Sequence, residues 1–335
     1  MNLTSTTLLL LAIPLQANLE PTRYKYSQPH MGTNCQILVY SMNQEEASRA
    51  VNAAFQRIKQ LNLIMSDYDA ESELRKLCAR SGKEAVEVSA DLFKVLSHAQ
   101  KVSVISEGAF DITVGPVVKL WRRARKSIQM PDNNELEVAK KLVDYRLIEL
   151  DSEKKTARLK SPGMLLDLGG IAKGYAAEEA LLVLKKMGIN SALVALGGDV
   201  AIGNAPPNQK GWKVGIAPVL EEGDAASRFL ILANCAVSTS GDTEQYVELN
   251  GKRYSHLVDP KTGLGLTQRI SVTIIAPNGI DSDSLTKVVS VLGQEKGMEI
   301  VDKLSGISCR VVRKKGDNLE VKTSPTFPTV YENKK

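Results

Sequence analysis

The stretch from Asp167 to Asp199 constrains the fold more than any other part of the chain. It reads Asp-Leu-Gly-Gly-Ile-Ala-Lys-Gly, then a helical run, then Ala-Leu-Val-Ala-Leu-Gly-Gly-Asp. Met164 to Leu168 is largely apolar and has strand character, and Gly169-Gly170 gives the backbone room to turn. Within residues 172–187, Ala176, Ala180, Leu181, Leu184 and Met187 repeat at helical spacing. Gly188 stops that helix, and Ala192 to Leu196 forms a second strand ending on Gly197-Gly198-Asp199. A strand–helix–strand unit with glycine pairs at both turns suits a ligand that approaches the backbone closely. Lys173 falls in the first helical turn, where the macrodipole favours an anion over a cation. A lysine beside glycines and exposed N–H groups is an arrangement that binds phosphate; a solvated lysine at an ordinary turn is the competing reading. The stretch matches neither G-x-x-x-x-G-K-[ST] nor G-x-G-x-x-G, which argues against a P-loop NTPase and a Rossmann dehydrogenase.

A chain of 335 residues buries a substantial core, as one large domain or two lobes. The net charge of +5 is scattered, and only Arg122-Arg123-Ala124-Arg125-Lys126 forms a basic cluster. With little aromatic interleaving, that cluster reads as a solvated loop or helix end and not as a nucleic-acid surface. Cys35, Cys78, Cys235 and Cys309 are widely spaced, with no C-x-x-C, and read as buried free thiols. Leu8 to Leu15 is too short to span a bilayer but fits a signal-peptide core ahead of Leu15-Gln16-Ala17. Against export, Met1 to Thr7 carries no Lys or Arg; no cysteine near the cut offers a lipid anchor. The expected organisation is a signal segment at 1–17, a linker at 18–27, one functional domain at 28–325 and a polar tail at 326–335. An exported, periplasmic setting with at most peripheral membrane association follows, with the cytoplasm as alternative.

Along the domain, Gln28 to Asn34 leads into a strand at Cys35 to Tyr40. Glu45 to Met65 is an amphipathic helix with Val51, Ala54, Phe55, Ile58 and Leu61 on one face. A polar loop at residues 66–74 runs into a short helix, and a longer helix spans about Ala90 to Ser106, carrying a structural His98. In Gly108-Ala-Phe-Asp111-Ile-Thr113, an extended backbone puts Asp111 and Thr113 on one face; a capped turn before a helix is the alternative. Residues 127–142 read as an exposed insertion and helix, and 145–150 with 156–160 as a hairpin. Trp212 to Ala217 and Arg228 to Leu232 are strands, and Ser238-Thr239-Ser240-Gly241-Asp242 places hydroxyls at a glycine turn. Asn250-Gly251 marks a hairpin ahead of Arg253, His256 and Asp259. Ser282 opens an amphipathic helix ending at Gly293, and a further helix and two strands follow.

Few residues here can do chemistry: there is no G-x-S-x-G, no H-E-x-x-H and no cysteine with an obvious base. What recurs is a set suited to phosphate and diphosphate: glycine turns, hydroxyl clusters, Lys173 and Arg253. Asp111, Asp199, Asp259 and Asp283 are isolated carboxylates able to hold a metal or a ribose. His256, between Arg253 and Asp259, reads as a general base.

Taken together, these segments resemble the FAD:protein FMN transferase family, ApbE. The matching motifs are Met31-Gly-Thr33; Met65-Ser-Asp-Tyr68 with Ser72-Glu73-Leu74; Phe110-Asp-Ile-Thr113 with Gly115-Pro116; and Leu168-Gly-Gly-Ile-Ala-Lys-Gly174. Gly197-Gly-Asp199, Ser238-Thr-Ser-Gly241, His256 with Asp259-Pro and Thr262-Gly263, and Asp283-Ser-Leu285 with Val291-Leu-Gly293 follow in family order. The resemblance covers residues 28–325. It implies a mixed α/β (α+β), two-lobed flavin transferase architecture, T-fold-like, with the FAD site between the lobes. It implies that FAD is the donor, that FMN passes to a threonine hydroxyl of a partner flavoprotein with release of AMP, and that Mg²⁺ assists. The acceptor is typically a redox-complex subunit or another exported flavoprotein. By position, Met31, Tyr68, Asp111, Lys173, Asp199 and Thr239 line the FAD site, joined by Arg253 and Asp259. His256 takes the proton, and Ala172 and Asp283 hold the metal.

One departure stands out. The family pattern is Asp-x-Leu-x-Thr, with the Asp and Thr on the metal, and here the Thr position is Lys287. Thr286 is adjacent, but one residue turns a helix by about 100° and does not simply substitute. Either the metal binds more weakly without that ligand, or Lys287 points away or replaces part of the metal's charge, or the protein binds FAD without efficient transfer. A metal-dependent FAD pyrophosphatase, with water as nucleophile, is the further alternative.

Overall fold

A computed structural model describes residues 20–216, 228–241, 246–316 and 318–332. The signal-like stretch at 1–17 lies outside them. The chain opens with strands β1 (Thr22–His30) and β2 (Thr33–Ser41), followed by helices α1 (Gln44–Met65) and α2 (Glu73–Ala79). Strand β3 (Val86–Glu87), helices α3 (Ala90–Ile105), α4 (Gly115–Ser127) and α5 (Asn133–Lys140), and strands β4 (Ile148–Asp151) and β5 (Thr156–Leu159) come next. Helix α6 (Ala172–Lys186) leads to β6 (Ala192–Leu196), β7 (Asp199–Ile202), β8 (Trp212–Gly215), β9 (Arg228–Leu232) and β10 (Cys235–Gly241). The chain continues through β11 (Tyr246–Leu249), β12 (Lys252–Ser255), β13 (Ile270–Ala276), α7 (Gly279–Val301), β14 (Ser308–Lys315), β15 (Asn318–Thr323) and β16 (Tyr331–Glu332).

Eight strands form one sheet in the order β1-β2-β6-β7-β10-β13-β14-β15, and every pairing in it is antiparallel. Its two faces follow from the two-residue period of a strand. On β2, Cys35, Ile37 and Val39 enter the main core with α1 and α6, while Leu38 and Tyr40 point to the other face. That other face is covered by the small β16-β9-β8 sheet through Trp212, Val214 and Leu230. A further core gathers Val117 and Trp121 of α4, Leu136 and Ala139 of α5, and Val247, Leu249 and Tyr254 of the β11–β12 hairpin. The mixed α/β fold with a second core is as expected.

Several local expectations change. Residues 18–27 are not a linker beyond Thr22: the alternating burial of β1 makes it an edge strand that packs Tyr24 and Tyr26 against the core. The tail at 326–335 contributes β16, paired to β9. Met164 to Leu168 is extended but not a sheet strand, so the central unit is not strand–helix–strand; Met164, Leu166 and Leu168 are buried in alternation, which mimics one. The 238–241 hydroxyls sit within β10 instead of at a turn. Helix α7 begins earlier than Ser282 and is buried nearly all round, so no amphipathic stripe marks it; Gly293, at φ 79°, breaks it into two segments. Three thiols are buried and Cys235 is half-buried, and burial pushes Cys35 up to about 12 and Cys235 up to about 11.

The closest backbone approach joins α6 to α7. A Cβ on Gly279 would lie 2.1 Å from the carbonyl oxygen of Gly174, and one on Gly174 would lie 2.0 Å from that of Gly279. Only glycine fits at either position, because backbone on the opposite helix cannot swing aside as a side-chain tip can. Gly279→Ala is therefore expected to force the helices apart and destabilise the fold by about 2–3 kcal/mol. A urea denaturation series on the variant and the parent measures this, and an unchanged midpoint would refute the crossing.

Candidate active site

A cavity of about 1170 Å³ opens beside the first turn of α6. Its walls come from the β1–β2 turn at Met31, the end of α1 with Tyr68, the turn at Asp111, one face of α4, the β6–β7 turn, β10, and His256 just after β12. It is lined by elements of both the main core and the α4–hairpin core, so it lies between them. Of the residues expected at a site, Met31, Tyr68, Asp111, Ala172, Lys173, Asp199, Thr239 and His256 all line it.

Lys173 is not a solvated lysine. Its ammonium is paired with Asp199, whose side chain is 3 % exposed at the start of β7. Burial works to lower the Lys173 value, but the charges of Asp199 and Asp283 outweigh it and hold the lysine well above the ordinary range. Lys173 is thus charged at any pH the protein meets. The exposed N–H groups expected at this helix start are partly used. Ala172 N–H donates to Leu168 O at 2.9 Å, and Gly174 N–H to Asp283 Oδ2 at 3.0 Å.

Asp111 forms a capped turn, not an extended strand. Its carboxylate accepts from Thr113 N–H at 2.8 Å, Thr113 O–H at 2.6 Å and Tyr145 N–H at 2.9 Å. Burial pushes this carboxyl above its ordinary value against those hydrogen bonds. Thr239 sits where β10 passes the Gly197-Gly198 turn: its N–H donates to Gly198 O at 2.9 Å, and its hydroxyl is 3.1 Å from that of Thr273. Tyr68 is 79 % exposed, with the Arg122 guanidinium 4.2 Å from its ring centroid. It offers a planar face at the rim.

Two expected binding residues are elsewhere. Arg253 does not line the cavity; its guanidinium stacks 3.5 Å from the Tyr246 ring centroid on the hairpin. Asp259 caps its own turn, its carboxylate accepting from Lys261 N–H and its backbone carbonyl from Gly263 N–H, at 2.8 Å each, while its neighbour Pro260 lines the wall.

The basic cluster at 122–126 also needs correcting. Arg122 and Arg125 line the cavity with Val114 and Val118, while Arg123 and Lys126 are exposed. The spacing of 114, 118, 122 and 125 is one helical face, which is the signal that would have found them. Arg122 bridges Asp67 and Asp167, the latter at 3.0 Å. Arg125 has a buried Nη1 without a hydrogen-bond partner among the described residues, and burial next to Arg122 lowers its value.

The expected metal position does not suit a metal ion. Asp283 is fully buried, and both its oxygens are taken, Oδ1 by the Lys287 ammonium at 2.7 Å and Oδ2 by Gly174 N–H. Ala172 lines the cavity as the first residue of α6, where a helix carbonyl is directed at the next turn. Thr286 donates its hydroxyl to Asp283 O at 2.7 Å and accepts from Lys287. Among the described residues no three His, Cys, Asp or Glu side chains form a group able to hold a metal.

A mixed α/β fold with a fixed lysine at a helix start, an aromatic rim and a large cavity between two cores defines a protein built for a large phosphate-bearing ligand. The chain belongs to the ApbE family, whose model matches residues 31–311. It is 32% identical over 296 residues to an FAD:protein FMN transferase of Klebsiella pneumoniae, covering 88% of this chain and 90% of that one. An FAD:protein FMN transferase of Treponema pallidum is 32% identical over 299 residues, covering 85% and 83%. Among solved structures, the flavin transferase ApbE from Vibrio cholerae superposes with a TM-score of 0.80 at 25% identity, covering 92% and 98%. The apbe protein of Thermotoga maritima gives 0.81 at 28% identity, covering 91% and 98%.

Removing the arginine between Asp67 and Asp167 leaves two carboxylates facing each other. Burial and the Asp67 charge already raise the Asp167 value, and loss of Arg122 raises it further. Arg122→Ala is expected to cost about 2–3 kcal/mol at neutral pH, below the cost of breaking a fully buried pair. A carboxyl with a raised folded value keeps its proton after the unfolded chain has lost its own. The deficit should therefore shrink as pH falls from about 7 toward about 5. Denaturation at both pH values checks the sign; a deficit that grows on acidification would refute it.

Proposed function

We propose that the chain transfers FMN from FAD to a threonine hydroxyl of a partner flavoprotein, releasing AMP. The observation that carries this is the charged Lys173–Asp199 pair at the start of α6, set in the wall of a cavity that also holds His256 and the Tyr68 rim. At about 1170 Å³ the cavity exceeds the roughly 300–1000 Å³ of an ordinary small-ligand pocket, as a dinucleotide with two aromatic heads requires. Lys173 meets the diphosphate, and the exposed Tyr68 ring offers a stacking face to one of the heads.

In this reading His256 accepts the proton of the acceptor threonine as its oxygen attacks the phosphorus nearest the flavin. The new bond is threonine O–P; the bond that breaks joins that phosphorus to the bridging oxygen, which leaves with AMP. Lys173 stabilises the negative charge that builds on the phosphoryl oxygens, and Asp199 keeps the ammonium in place and charged. The donors at Asp283 are already engaged, so no step runs through the Mg²⁺ that the family resemblance implies. An exported setting, supported by the apolar run Leu8 to Leu15, puts the acceptor among exported or membrane-bound redox proteins.

The test is to incubate FAD with the full chain and a protein carrying a flavinylatable threonine, then quantify AMP and read flavin fluorescence on the denatured acceptor. AMP that depends on the acceptor, with a fluorescent acceptor band, is expected. AMP released without the acceptor would make the protein a pyrophosphatase. His256→Ala should slow transfer by about 10²–10⁴-fold, the usual reach of a general base, with FAD affinity changed less than about threefold. Near-normal transfer in that variant would remove His256 from the mechanism.

A further inference from the structure

We propose that the Lys287 ammonium is the resident cation of this site, meeting the diphosphate of bound FAD where a divalent metal would otherwise be required. The proposal rests on reading the cavity as an FAD site. Three observations carry it. First, Asp283, a fully buried carboxylate against the α6 start, has Lys287 Nζ on Oδ1 at 2.7 Å and Gly174 N–H on Oδ2 at 3.0 Å. A metal ion would have to evict the ammonium, and the displaced lysine would repel it at short range. Second, Lys287 is held from below. A Cβ on Gly170 would lie 3.0 Å from Lys287 Cγ, so the aliphatic stem lies against the Gly169-Gly170 turn, and the side chain is 16 % exposed. Third, an ammonium has three donors. One goes to Asp283 and one to Thr286 Oγ1 at 2.9 Å; Lys287 lines the cavity, so the third is left for a ligand.

The site presents two lysines along one wall, each paired with a buried aspartate. Lysine is a compact point charge suited to phosphate oxygens. It also stays in place when metal is scarce. The consequence is a dinucleotide site indifferent to chelators.

The experiment titrates FAD into the full chain by flavin fluorescence, in EDTA and in Mg²⁺, and follows Mn²⁺ binding by electron paramagnetic resonance. For the parent chain, FAD affinity should change less than about twofold between EDTA and Mg²⁺, with no stoichiometric Mn²⁺ bound. Lys287→Thr should weaken FAD by about tenfold or more in EDTA and regain affinity when Mg²⁺ is added. Lys287→Met, which keeps the stem against Gly170, should show the same loss without the Mg²⁺ rescue. One Mn²⁺ per parent chain, or a tenfold loss of FAD affinity on chelation, would overturn the inference while leaving the FAD site standing. FAD failing to bind under either condition would overturn both.

Discussion

The structure depends on the crossing of α6 and α7 at Gly174 and Gly279, where each backbone occupies the space a side chain would need on the other. Backbones this close let a helix N–H reach a carboxylate on the neighbouring helix, and Gly174 N–H is bonded to Asp283 in this way. The placement of Lys173, Asp283 and Lys287 follows from that contact. Lys173 precedes Gly174 and so leaves the helix on the cavity side, and Lys287 lies one turn beyond Asp283 and reaches back to it. Two helices that met at an ordinary 8–10 Å separation would not bring these groups within hydrogen-bond range.

Buried charge of this kind is a weak source of stability. Desolvating a carboxylate costs several kcal/mol, and a partner ammonium offsets that only when the geometry is good and the remaining lone pairs are satisfied. Asp283 meets this condition through Lys287 and Gly174, and Asp199 through Lys173. Asp111 does not: it has no ion pair among the described residues, and burial raises its value despite three hydrogen bonds. Asp283 is thus held below its ordinary value and Asp111 above it. The difference lies in whether a lysine faces them.

The helices were legible because a helix buried on one side repeats its apolar residues every three to four positions, as Val51, Ala54, Phe55, Ile58 and Leu61 do. That rule loses power where burial is all round, and α7 shows it: Ser282, Asp283, Ser284 and Thr286 are buried with Leu285 and Val288, so polarity no longer reports the face. The same limit produced the false strand at residues 164–168. An extended segment pressed against a core alternates like a strand whether or not it has a ladder partner. Among site residues, Lys173, Asp199 and His256 could be read because they stand beside glycine turns or in polar segments. Arg122 and Arg125 could not be read as a cluster of charge; only their shared helical face with Val114 and Val118 distinguishes them from Arg123 and Lys126.

The division of labour in the cavity follows from which elements are rigid. Lys173 and Lys287 stand on helices locked by the glycine crossing, and Asp199 and Thr239 stand on neighbouring central strands of the eight-stranded sheet. In the proposed reaction, groups that hold a diphosphate gain from that fixity, since preorganised charge needs no rearrangement as the reaction proceeds. His256 is on a connecting segment after β12, which belongs to the second core and not to the sheet. As the proposed proton acceptor for a residue arriving on another protein, His256 has a different requirement. It needs to face the side from which that residue comes, and a segment carried by a separate hairpin provides that without disturbing the phosphate wall. Under the proposed reaction, placing the fixed charges and the proton acceptor on different cores makes the cavity between them the place where donor and acceptor meet.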